Sequence, residues 1–208
     1  MALHDDGRIL THGEPLKTAR AAVVMLHGRG ATAGDILSLA PLIESPRVAF
    51  IALQAANNTW YPYPFTEPLA RNEPWLSSAL AGVDQMIVMI EEAGLSRGQT
   101  YLLGFSQGAC LALEYAARHA DRYGGVFGFS GGLIGPEGTP RAYPGSMAGT
   151  PVFLGCSDVD SHIPKERVLA SADVFRKLGA DVTARLYPHM GHTINDDELD
   201  FVRRLLAA

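Results

Sequence analysis

"YLLGFSQGACLALEYAARHA", residues 101–120, contains two kinds of periodicity separated by a turn. "YLLGF" is a short apolar run of the kind that forms a buried strand. "QGACLALEYAARHA" carries apolar residues at helical spacing. Between them Gly104, Ser106 and Gly108 form a G-x-S-x-G pattern. A strand that turns sharply into a helix exposes the side chain at the turn and aims the first helical N–H groups at developing negative charge. Ser106 is therefore the candidate nucleophile. The competing reading is a helix N-cap in a Gly-rich turn. The same pattern recurs in "GFSGG" (128–132), centred on Ser130. After Ser130 the chain runs "GGLIGPEGTP", with four glycines and two prolines, so no helix starts there. Ser130 is placed near the site, on the loop of the neighbouring strand.

Outward from this stretch the same alternation repeats. "AAVVMLH" (21–27), "RVAFIAL" (47–53), "GGVFGFS" (124–130), "PVFLGC" (151–156) and "DVTARLY" (181–187) read as strands. Helical stripes lie between them: Leu37, Ala40 and Ile43; Leu76, Leu80, Val83, Ile87 and Ile90, with Gly94 as a stop; and Val168, Ala172, Phe175 and Leu178, opened by Pro164 and ended by Gly179. Asn195 caps a last helix whose first turn holds Asp196, Asp197 and Glu198. Repeated strand–helix–strand units require parallel pairing with helices on both faces, so the fold class is α/β with a mostly parallel central sheet. The Pro/Gly-rich stretches 54–75 and 131–150 lie between periodic segments and read as loops within one domain, 1–208.

Composition narrows the function classes. With 47% apolar and 19% charged residues the chain can bury a core. The net charge is −5 and no Lys/Arg cluster stands out, which argues against a nucleic-acid partner. No apolar run approaches a membrane span, and residues 1–20 lack a signal-peptide core. Cys110 and Cys156 fall in a helical and a strand pattern and read as buried free thiols, pointing to the cytoplasm. The oligomeric state is left open, with a homodimer as one option.

A serine hydroxyl needs a base to take its proton. In a parallel sheet the chemistry gathers at the carboxyl ends of the strands. Of the histidines after Ser106, His119 ends a helix, His162 lies in a loop, and His189 and His192 lie in "YPHMGHTIND" after the last strand. His192 is favoured because it comes directly after Gly191 in an open turn before the final helix. An acid to hold the imidazole tautomer is expected after "PVFLGC", where both Asp158 and Asp160 stand. An oxyanion hole needs two backbone donors. The N–H of Gln107, directly after Ser106, is one. The N–H of Arg29, in "LHGRGATAGD" (26–35), is the other. "GRGATAG" matches neither phosphate-binding glycine pattern, and no cofactor is expected.

With these residues in place, the chain resembles the phospholipase/carboxylesterase family of α/β-hydrolases, which includes the acyl-protein thioesterases. The resemblance runs from about Val23 to Leu206. It rests on "LHGRG", "GFSQGACLAL", "FSGGL", "DSHIP" and "YPHMGHTI" in the family's order. It implies Ser106 as nucleophile and His192 as base. It implies Asp160 as the acid, four residues before Pro164 in a D-x-x-[VI]-P motif, and not Asp158. The sequence departs from the thioesterase pattern at Arg29, where an apolar residue is usual. It departs again at "LQAANNTWYPYPF" (53–65), which replaces a Pro-Ala-Pro stretch. Loop 54–75 carries Trp60, Tyr61, Tyr63, Phe65 and Trp75. These aromatics, with Ser130, line a substrate pocket on one reading and cover the sheet edge on another.

The expectation is a serine carboxylic-ester hydrolase acting on small-molecule short or aromatic acyl esters. Arg29, Gln54, Asn57 and Asn58 are expected to crowd the mouth of the site. The alternatives are a thioesterase or lysophospholipase, a binding module that kept the fold, and a metal site built from Asp158, Asp160, His162, His189 and His192. The last is disfavoured by the loop setting of the two histidines.

Overall fold

A computed structural model describes residue 4 and residues 8–207. Residues 1–3 and 5–7, part of the stretch 1–20 in which no signal-peptide core was expected, and residue 208 lie outside the described residues. Among the described residues seven strands form one sheet in the order β1-β3-β2-β4-β5-β6-β7. These are β1 (Ile9–Gly13), β2 (Ala21–Leu26), β3 (Val48–Leu53), β4 (Thr100–Phe105), β5 (Gly125–Phe129), β6 (Pro151–Ser157) and β7 (Asp181–Tyr187). β1 is antiparallel to β3, and the other neighbouring pairs are parallel.

The buried strands alternate between two cores, as the two-residue period of a pleated strand dictates. Ala22, Val24 and Leu26 of β2 face α2 (Trp75–Glu92), α3 (Gln107–Arg118) and α4 (Lys165–Lys177). Ala21, Val23 and Met25 face α1 (Ala33–Leu37) and α5 (Asp196–Ala207). Among the described residues no helix is long and apolar enough to cross a membrane.

Three elements differ from their sequence pattern. β1 is absent from the pattern because it is a half-exposed edge strand that takes its hydrogen bonds from β3 alone. The stripe through Leu37, Ala40 and Ile43 breaks after α1 into a 3₁₀ turn, Ala40–Leu42, because Pro41 has no N–H to continue the helix. Pro164 keeps an extended backbone (ψ 128°) and caps α4, which begins one residue later.

Candidate active site

β4 ends at Phe105 and α3 begins at Gln107, which leaves Ser106 alone to make the turn. Its backbone is forced to φ 55°, ψ −119°, a costly conformation for a residue with a side chain. Its N–H donates to the Phe129 carbonyl (2.9 Å), and its own carbonyl accepts the Cys110 N–H (3.0 Å). The flanking glycines are there for space. A Cβ on Gly108 would run into the Leu26 carbonyl of β2, and one on Gly104 into the Gly108 carbonyl. The sharp turn and the close seat of α3 on the sheet thus depend on each other. Ser130 has a similar φ (49°), but it is fully buried and no helix comes after it in that loop.

The β7–α5 loop brings His192 to this serine. Nε2 of His192 lies 2.8 Å from Oγ of Ser106, and Nδ1 lies 2.7 Å from Oδ2 of Asp160. Asp160 sits in the β6–α4 loop with its side chain fully buried. Its Oδ1 accepts the N–H groups of His162 (2.8 Å) and Ile163 (3.0 Å). Burial alone would raise its carboxyl pKa. The His192 hydrogen bond and the two backbone donors outweigh that and hold it below the ordinary range. Asp158 points elsewhere and accepts the His189 N–H (2.8 Å), while the Ser157 hydroxyl accepts the Gly191 N–H (3.3 Å). These two bonds tie the loop bearing His192 to the loop bearing Asp160.

α5 fixes the far end of the His192 loop through a reciprocal cap. The Glu198 N–H donates to Asn195 Oδ1 (3.0 Å), and the Asn195 N–H donates to Glu198 Oε2 (2.9 Å). Burial pushes the Glu198 carboxyl up to about 7, and neighbouring Asp197 adds to the rise against the Asn195 N–H. An acid that is weaker in the folded than in the unfolded chain costs stability as pH rises from its ordinary 4.5 to about 7. The full cost is about 3 kcal/mol. Glu198→Gln removes this titration. Its melting temperature relative to the native chain is expected to improve steadily between pH 4.5 and 7. A difference that stays constant over that range would assign the slope to another group.

The β2–α1 loop passes over the serine. A Cβ on Gly28 would lie 3.4 Å from that of Ser106. Neither the Arg29 nor the Gln107 N–H is hydrogen-bonded to another group among the described residues, so both donors remain available to a ligand. The loop is pinned from behind by His27. Its Nε2 accepts the Ala55 N–H (3.1 Å), which leaves the Nδ1–H to donate to the Gly28 carbonyl (2.7 Å). Burial lowers the His27 pKa and so favours this neutral form. The Trp60 indole N–H donates to the His27 carbonyl (2.8 Å).

Ser106 and His192 open into a cavity of about 420 Å³ walled by Tyr61, Phe65, Phe105 and Ile163, with Arg29 and His162 beside them. Of the expected pocket residues Trp60, Tyr63, Phe65, Trp75 and Ser130, only Phe65 lines it. Trp60 is fully buried beneath the loop, held by its bond to His27. Tyr63 turns to solvent with the Arg71 guanidinium over its ring (4.3 Å). Trp75 begins α2 and packs on the core, and Ser130 is fully buried at the end of β5. Gln54, Asn57 and Asn58 line a separate cleft with Thr32 and so do not crowd this mouth. Among the described residues no three His, Cys, Asp or Glu side chains are arranged to hold a metal ion. Of the five residues of the metal alternative, Asp160 and His162 lie against His192 and Asp158 accepts the His189 N–H, without forming such a group.

Two features had no distinct sequence signal. The Gln107 side chain accepts the Trp60 N–H (3.0 Å) and donates to the Tyr61 carbonyl (2.8 Å), fastening loop 54–65 to the start of α3. The His162 ring stands edge-on to that of His192, with centroids 4.7 Å apart. Only the two-residue offset from Asp160 hinted at that proximity.

Comparison with known proteins agrees with this architecture. The chain superposes on a phospholipase/carboxylesterase from Dyadobacter fermentans with a TM-score of 0.92 and 45% identity, covering 96% of this chain and 95% of that one. Esterase PE8 matches with a TM-score of 0.77 and 25% identity over 96% of both chains. Acyl-protein thioesterase 1 of Emericella nidulans is 26% identical over 224 residues, 92% of this chain and 91% of that protein. The fold is that of the α/β-hydrolases. The profile of the Phospholipase/Carboxylesterase family matches residues 12–208, and the chain is a member of that family.

Proposed function

We propose that the chain is a serine carboxylic-ester hydrolase of a single domain that acts on short or aromatic acyl esters. The observation that carries this reading is the unbroken relay from Ser106 Oγ to His192 Nε2 and from His192 Nδ1 to Asp160 Oδ2. Ser106 attacks the ester carbonyl while His192 takes its proton. The oxyanion forms against the free Arg29 and Gln107 N–H groups. The carbon–oxygen bond to the alcohol breaks as His192 returns the proton to the leaving oxygen. Water, deprotonated by His192, then attacks the acyl-enzyme and releases the acid and Ser106. Asp160 holds the Nδ1–H tautomer and supports the imidazolium. The buried free thiols of Cys110 and Cys156 support a reducing, cytoplasmic setting.

The aromatic walls support the acyl preference. Each buried methylene contributes about 0.8 kcal/mol only where an apolar wall meets it, and Arg29 interrupts those walls. A 4-nitrophenyl ester series is expected to give a catalytic efficiency that is highest for short and benzoyl esters. A serine-directed phosphonate is expected to label Ser106. Efficiency that climbs steadily past the decanoyl ester contradicts the acyl preference, and a label on another residue contradicts the nucleophile. The thioesterase name of the Emericella relative makes a matched thioester the natural addition to the series. A faster thioester would identify the leaving group as a thiol.

A further inference from the structure

The candidate cavity has a charge asymmetry that a neutral ester does not use. Its lining includes one guanidinium and two imidazoles, and no Asp or Glu, in a chain of net charge −5. The one carboxylate nearby, Asp160, is buried behind His192 with both oxygens occupied. Arg29 is solvent-exposed, but its guanidinium is held. Its Nη1 donates to Thr59 Oγ1 (3.2 Å) and the Pro62 carbonyl (2.9 Å), and its Nη2 donates to the Tyr63 carbonyl (2.9 Å). Its Cζ lies 5.9 Å from the centre of the Tyr61 ring. All these partners are neutral, and no carboxylate pairs with Arg29 among the described residues. A guanidinium has five N–H donors, so Nε–H and one Nη2–H stay unclaimed. The group is held by neutral partners alone, and it belongs to a residue that lines the same cavity as Ser106 and whose backbone N–H makes no hydrogen bond among the described residues.

We propose that the substrates are esters carrying a carboxylate a few atoms from the scissile carbonyl, and that the Arg29 side chain seats that carboxylate. The proposal rests on the hydrolase reading above and adds a substrate class to it. Fixed donors recognise a carboxylate without reorganising, and charge-assisted hydrogen bonds are the strong ones. The carboxylate takes no part in bond making, so the acyl-transfer steps are unchanged. It sits on either the acyl or the alcohol half of the ester, and the two arms of the test separate these.

The acyl arm compares monoethyl glutarate with ethyl pentanoate. The alcohol arm compares acetoxyacetate with propyl acetate. Acid release is followed in a pH-stat. The native enzyme is expected to favour the carboxylate ester in one arm by about 10- to 100-fold in kcat/KM. That preference should shrink as salt is raised. Because the Arg29 N–H serves both members of each pair, the readout for Arg29→Gln is the ratio and not the absolute rate. The ratio is expected to fall to roughly one, since a neutral amide cannot form the charge-assisted bond. A measurement without any variant accompanies it: glutarate should inhibit hydrolysis of ethyl pentanoate competitively, and glutaramide should not. A ratio near unity in both arms, a ratio unchanged in Arg29→Gln, or equal inhibition by the two compounds overturns the proposal. If Ser106→Ala still hydrolyses ethyl pentanoate, the hydrolase reading itself fails. Ser106-dependent hydrolysis with no charge preference removes only the substrate class.

Discussion

Ser106→Ala is expected to lower ester turnover by about 10⁶-fold, the scale seen when a triad nucleophile is removed and only binding and oxyanion contacts remain. The only side-chain hydrogen bond of Ser106 among the described residues is to His192, so the melting temperature should barely change. Alanine fits the same space, and the neighbouring Gly104 and Gly108 still admit the tight turn. Ser130→Ala is the matched control. It removes a buried hydroxyl with no partner among the described residues, so activity should be largely kept, and stability should hold or rise slightly. Turnover with a 4-nitrophenyl ester and thermal melting of both variants check this. If activity disappears with Ser130→Ala and persists with Ser106→Ala, the nucleophile assignment is wrong.

Asp160→Asn is expected to cost about 10⁴ in turnover, and the hydrogen bonds around it give the reason. The N–H groups of His162 and Ile163 face one oxygen of Asp160. In the variant the amide oxygen must take that place. The amide NH₂ then faces Nδ1 of His192 and forces that nitrogen to accept. The proton moves to Nε2, the atom 2.8 Å from the Ser106 hydroxyl, and His192 can no longer take the serine's proton. Asp158→Asn loses little, because an amide oxygen can still accept the His189 N–H. At most about 1 kcal/mol of stability is at stake. Turnover and melting temperature of the two variants side by side decide the matter. A severe loss in Asp158→Asn with Asp160→Asn near normal would reverse the assignment.

The alternation of strand and helix in the sequence was enough for the mostly parallel sheet. Each buried strand is a continuous apolar run and each main helix carries a full stripe, as in "YLLGF" and Leu76 to Ile90. Ser106 stood apart from Ser130 for a local reason too, since only one of them precedes residues able to form a helix. Local chemistry of this kind is written in neighbouring residues. β1 was not, because its hydrogen bonds come from β3, far along the chain. The lining of the cavity was not either. Trp60, Tyr61 and Phe65 are close in sequence and equally aromatic, and nothing in their order says which faces the serine. That is decided by where Gln107 and His27 grip the loop, turning the Trp60 ring inward and leaving Tyr61 and Phe65 on the cavity wall. The order of elements and the residue types available for chemistry were thus legible in the amino-acid sequence alone. The family motif had already singled out Asp160; which aromatics wall the cavity, and that the Arg29 charge in it meets no carboxylate among the described residues, were settled by tertiary contacts between loops that the chain's local propensities do not encode.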